Sequence, residues 1–289
     1  MELVQNIFLP YAAMIAAETI GAFRAHDLEV RTTFTRSSLD QRSALLDGDA
    51  DVAVTALDNL FAWNQSGQSD FKAIAQIERT TSLPVYLAAG LSSMAELAAL
   101  ERPRLVVDSP SSGFGIALVA VVESLGIARG QMEISAAGGV NERLAALAAG
   151  DGDVALLAPF VARASADAGL CRATAVEDLY PSYPGLVVVM LLRRAGEIGD
   201  AVGAYLDALA AGRSWLADHP EAGVKALTAT GLTHDAARMQ LAMCGAGAMT
   251  VSRDGFEVLR ELRSAQGLLP DIACSFDDFV STTYQPKED

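Results

Sequence analysis

Apolar residues along this chain fall into two kinds of run. Short runs such as NIFLP, LEVRTTF and DVAVTAL alternate with longer stretches, YAAMIAAETIGAFRAH and SSLDQRSALLDG, whose apolar positions recur at three- and four-residue spacing. Read in order these predict β-α-β-α-β over the first part of the chain. The same order returns as RLVVD, SSGFGIALVAVVESLGI, MEISAA, VNERLAALAAG and DVALLAP. The phrases GDADVA (Gly48–Ala53) and GDGDVA (Gly150–Ala155) close the second helix and open the third strand in each copy. Glycine supplies the left-handed helix end, and the aspartates turn the chain into a buried strand.

Strands alternating with amphipathic helices predict an α/β fold of mostly parallel sheets flanked by helices. The duplication predicts two lobes, with a single doubly wound sheet as the competing arrangement. Two further apolar runs beside prolines, VYLAA and LVVVMLL, lie between the copies and after the second one. They are expected to carry the chain from one lobe to the other and back, as hinges on which a cleft closes. The expected division is lobe 1 over 1–84, lobe 2 over 85–185, and a return to lobe 1 with C-terminal helices over 186–289. Those helices are read in DAVGAYLDALAAGRSWLADHPEAGVKAL, THDAARMQLAMCGAG and DGFEVLRELRSAQGLL, and the polar tail STTYQPKED is expected to fray.

In open α/β sheets ligands bind beyond the carboxyl ends of the strands, where helix N-termini present free N–H groups. The residues expected there are Tyr11, Ser37, Ser38, Thr55, Asp58 and Asn59 in the first copy. In the second they are Ser109, Ser111, Ser112, Asn141 and Phe160. Hydroxyls, amides and rings suit a small polar, anionic or aromatic solute. For the serines and for Asp58-Asn59 plain helix capping explains the residue types equally well. Were the protein an enzyme, Asp58, Asp108 and Glu142 are the carboxylates near enough for acid–base work. The nearby Arg36 and Arg143 would support an anion at these strand ends, but the expected place of a lone arginine on a helix face is solvent.

Composition narrows the choices. A net charge of -15 over 289 residues opposes binding to nucleic acid. The three cysteines, Cys171, Cys244 and Cys274, form no C-x-x-C pair, so neither a disulfide framework nor a metal site is expected, and no cofactor motif is present. No run is long enough for a membrane span and no leader is visible at Met1, so as written the chain is expected in the cytosol. A trimmed export signal would instead place it in the periplasm or outside the cell.

Five phrases carry a resemblance: IAAETIGAFRAHDLEV, LLDGDADVAVTA, LVVDSPSSG, GDGDVALLAP and YLDALAAGRSWLADHPEAGVKAL. In this order and spacing they resemble the type II periplasmic solute-binding proteins for nitrate, sulfonates, taurine and thiamine precursors, a family that includes the yeast-type pyrimidine synthase. The resemblance implies a two-lobed fold with a ligand cleft lined by the strand-end residues named above, and an ABC transporter permease as partner. It also implies alternatives, since cytosolic lyases and decarboxylases share the scaffold, and a ligand-sensing module is a third reading. The synthase's lysine and histidine positions hold Thr55 and Asn59 here, and the related desulfinase's cysteine is replaced by Pro10-Tyr11, so those two activities are not expected.

Overall fold

The computed structural model describes residues 1–64, 70–245 and 247–284; the last residues of the polar tail lie outside them. The chain divides into two compact units. One comprises Met1–Thr81, Pro184–Glu257 and Leu269–Asp289, the other Ser82–Tyr183 and Val258–Leu268.

The first unit holds strands β1 (Glu2–Ile7), β2 (Glu29–Phe34), β3 (Val52–Ala56) and β4 (Phe71–Gln76). The second holds β5 (Pro84–Leu87), β6 (Arg104–Val107), β7 (Glu133–Ala136), β8 (Val154–Leu156) and β9 (Cys171–Ala175). The chain then returns to the first unit through β10 (Leu186–Leu191). The sheet orders are β2-β1-β3-β10-β4 and β7-β6-β8-β5-β9. Both sheets are mixed. The two apolar runs that join the copies, β5 and β10, are interior strands, each antiparallel to both of its neighbours. The other four strands of each sheet therefore run one way, as the alternation of strands and helices predicts.

The duplicated phrase does the same work twice. Helices Ser38–Asp47 and Val140–Ala149 end on Gly48 and Gly150 at φ 80° and 78°, where a Cβ would be strained. The second aspartate then reaches back to the first strand of its copy. Asp51 accepts the Val4 N–H at 2.8 Å and Asp153 accepts the Arg104 N–H at 2.8 Å. Each closes the contact with its own N–H, to the Val4 and Arg104 carbonyls. The one letter that differs, Ala50 against Gly152, also has a cause. A Cβ on Gly152 would stand 2.1 Å from Val106 Cγ2, whereas the position matching Val106 in the first copy is Asn6.

The first unit's core packs β1, β3, β4 and β10 against helices Ala12–Thr19 and Ala195–Asp218, with Leu3, Ile7, Val54, Val188, Val202 and Leu209 buried. The long helix stops at His219, because Pro220 cannot continue it and instead starts the helix Pro220–Ala229. In the second unit Tyr86, Val106, Leu147, Ala155 and Val161 form the core. Among the described residues no helix is long and apolar enough to cross a membrane, and no group of side chains could hold a metal ion.

Candidate ligand site

The carboxyl ends of β6 and β8 bring the richest chemistry together. After β6 the chain runs Asp108-Ser109-Pro110-Ser111-Ser112 into the helix Gly113–Glu123. Ser112 is its N-cap, accepting the Gly115 N–H at 2.9 Å while its own hydroxyl lies 2.5 Å from Asp108 Oδ1. Ser109 and Ser111 face each other, hydroxyl to hydroxyl, at 3.4 Å. The cap leaves the Gly113 and Phe114 N–H groups outside the helix ladder, at the positive end of its dipole.

Beside this loop stands Arg143, only 4 % exposed. Its Nε donates to the Leu156 carbonyl at 3.1 Å and its Nη1 to the Gly138 carbonyl at 2.7 Å. Nη2 has no partner among the described residues. Burial pushes the Arg143 pKa down, while Asp108 and then Glu142 favour its charged form. Val106, Val107, Asp108, Phe114, Leu118, Arg143 and Leu156 line a narrow crevice, too tight to hold a water molecule as it stands. Contrary to the sequence-based expectation, Arg143 therefore does not face solvent. A signal for this was present: Leu147, one turn further along the same helix face, is also buried. Asn141 and Glu142 are exposed on the first turn of that helix, and Phe160 is 49 % exposed on the turn Pro159–Val161.

In the first unit Thr55 and Asn59 join at the end of β3, the amide donating to the buried hydroxyl at 2.7 Å. Asp58, 3 % exposed, occupies the N-cap position of the short helix Asn59–Trp63 without capping it by a side-chain hydrogen bond. Ser37 caps the helix Ser38–Asp47 by accepting the Asp40 N–H at 3.3 Å, and Ser38 is half-buried beside it. Tyr11 requires a correction. It is 2 % exposed, and its hydroxyl is committed to Gln5 Oε1 at 3.1 Å and to the Tyr205 hydroxyl at 2.6 Å, so it is a core residue and not a lining one. Burial foremost, then its neighbour Tyr205, pushes the Tyr11 phenol well above its ordinary range.

One strand end escaped the sequence reading. β4 finishes in Gln76 and leads to Ile77 and Glu78, whose carboxyl is 6 % exposed. Burial pushes its pKa from 4.5 up to about 7, opposed by a backbone hydrogen bond from Leu186.

Comparison with known proteins identifies the family and the fold. A family model described as "NMT1/THI5 like" matches residues 10–223. The chain belongs to the NMT1/THI5-like family. Solved structures agree on the fold. The ligand-binding component of an ABC-type import system from Staphylococcus aureus, solved with zinc bound, superposes with a TM-score of 0.80 at 16% identity, over 98% of this chain and 98% of that one. The alkanesulfonate-binding protein SsuA from Xanthomonas axonopodis pv. citri, bound to MOPS, gives 0.76 at 18% identity over 96% and 97%. A Candida albicans protein described as having the generic periplasmic binding protein fold gives 0.78 at 13% identity over 100% and 99%. No curated protein matches the chain in sequence. The NMT1/THI5-like fold seen here is thus the two-lobed α/β periplasmic-binding-protein fold expected from the sequence.

Proposed function

We propose that this NMT1/THI5-like protein is a solute-binding protein that holds a small solute with an anionic group at its strand-end loops. The observation that carries this reading is Arg143 itself: a buried guanidinium with one nitrogen unspent, close to a helix N-terminus and an aromatic ring. A buried arginine holds an anion by charge-assisted hydrogen bonds, and low local dielectric strengthens them. Phe114 supplies the apolar contact for the rest of the solute.

Structures of similar fold are named as the ligand-binding component of an ABC-type importer and as an alkanesulfonate-binding protein. By that likeness the protein delivers its solute to an ABC transporter permease and works on the outer side of the membrane.

Thermal-shift screening against small sulfonates, carboxylates, pyrimidines and aromatic acids tests the reading. Binding to the folded state at 100 times Kd adds about 2.7 kcal/mol to stability. A hit recovered unchanged by mass spectrometry, and weakened by Arg143→Gln, supports it. A hit recovered chemically altered would overturn it in favour of an enzyme, with Asp58, Asp108 and Glu142 the first carboxylates to replace.

A further inference from the structure

The second copy of the repeated unit carries two charges where the first carries none. The residue that follows the first strand is Phe8 after β1 but Asp108 after β6. At the same distance before the helix-ending glycine stand Gln41, ahead of Gly48, and Arg143, ahead of Gly150. The shared fold needs neither charge, since Gln41 ties its helix to the strand ends by donating to the Asn6 and Val54 carbonyls. Aspartate and arginine enter together, and both line the crevice at the ends of β6 and β8.

Opposite charges facing one crevice gain by closing on each other. In the same unit Arg104 and Asp153 do so, at 2.6 Å. Asp108 and Arg143 feel each other's charge, yet among the described residues they form neither an ion pair nor a hydrogen bond. Asp108 Oδ1 takes the Ser112 hydroxyl, and Oδ2 has no partner among the described residues. Arg143 commits Nε and Nη1 to carbonyls and keeps Nη2. The Gly138 whose carbonyl accepts Nη1 is exposed, so the buried guanidinium ends just beneath the surface. Keeping it from its counter-ion costs free energy that a closed pair would recover.

A third charge sharpens the choice. Glu142 also acts on Arg143, so one cation faces two carboxylates. That excess opposes a bare anion, whereas a dipolar solute adds no net charge. We propose that Asp108 and Arg143 together read a dipolar solute, Arg143 Nη2 donating to its anionic oxygen and Asp108 Oδ2 accepting from a positively charged nitrogen beside it. The proposal rests on the solute-binding reading above and narrows its ligand to a zwitterion. Because the crevice is too tight for a water molecule, the solute meets the two groups at its rim. Ser112, itself held by the Gly115 N–H, fixes the carboxylate, so the acceptor is oriented before the solute arrives.

The test is calorimetric titration at neutral pH with matched probes: ethanesulfonate, propanoate and hydrocinnamate, each beside a primary-amine counterpart. Wild-type protein is expected to bind at least one amino member about tenfold tighter than its plain partner, the size of one charge-assisted hydrogen bond. Asp108→Asn, whose amide oxygen still accepts the Ser112 hydroxyl, should move the two members in opposite directions. The amino member weakens about tenfold, and the plain member tightens about twofold once the opposing charge is gone. Arg143→Gln should weaken both members alike, because both present the same anionic oxygen. A merely structural role for Asp108 would instead weaken both members in the asparagine variant. That result, the absence of an amino preference in the wild type, or a preference that survives Asp108→Asn overturns the inference and leaves the solute-binding reading standing. Failure of every probe to bind overturns the inference together with that reading.

Discussion

The two copies of the β-α-β-α-β unit solve one problem with different residues. In the first copy Gln41 sits in the first turn of its helix, fully buried, and donates to the carbonyls of Asn6 and Val54 at the ends of β1 and β3. In the second copy the matching position is Arg143, which donates to the Leu156 carbonyl, the counterpart of Val54, and to Gly138. A neutral amide is enough to tie helix to strand end. The arginine does that and leaves a charged nitrogen over. What exceeds the shared structural task is the best guide to the site.

The comparison breaks most visibly if Gln41 is dispensable. Gln41→Ala removes both of these buried hydrogen bonds together with the packing of the side chain between the two strand ends, so a loss of roughly 3 kcal/mol is expected in urea unfolding. An unchanged midpoint would show that the amide is no staple.

Next in size is Glu78→Gln, whose effect depends on pH. In the unfolded chain the carboxyl titrates near 4.5 and in the folded chain at about 7. Below about pH 4.5 both forms are protonated and Glu78 contributes nothing. Between the two values unfolding releases the proton, so wild-type stability falls as pH rises, and above 7 the loss is complete. The glutamine variant should therefore match wild type at about pH 4 and exceed it by roughly 3 kcal/mol at about pH 8. Equal pH profiles would show that burial does not raise the Glu78 carboxyl in the folded protein.

A smaller effect is expected at the one letter that separates the repeated phrases. Gly152→Ala drives a methyl into Val106 and should cost about 2 kcal/mol, with Val106→Ala in the same chain relieving most of the strain. Independent, additive losses would refute the contact as the cause. Smallest in stability is Arg143→Gln. The first copy shows that a glutamine can serve here, so the cost should stay below about 1 kcal/mol while affinity for an anionic solute falls at least about tenfold. A large loss of stability with binding intact would make Arg143 only a staple.

Much of this fold is legible in the sequence because it is local. Helix periodicity, the glycines ending Ser38–Asp47 and Val140–Ala149, and the proline that stops Ala195–Asp218 act within a few residues. Ser37 and Ser112 were equally balanced between capping and ligand contact, and the structure shows the capping bonds. The directions of β5 and β10 were not readable, because a strand's partners depend on where a distant segment returns. Tyr11 was misread for a similar reason: its hydroxyl partner Tyr205 lies 194 residues away.

The sequence by itself determined the duplicated unit, the strand-end loops and their residue types, since backbone propensity and turn chemistry act over short range. Only the tertiary structure decided which of those side chains are spent on the fold and which are left over. Tyr11 is spent on Gln5 and Tyr205, whereas Arg143 keeps one nitrogen, because the carbonyls and hydroxyls that satisfy a side chain come from segments far apart in the chain.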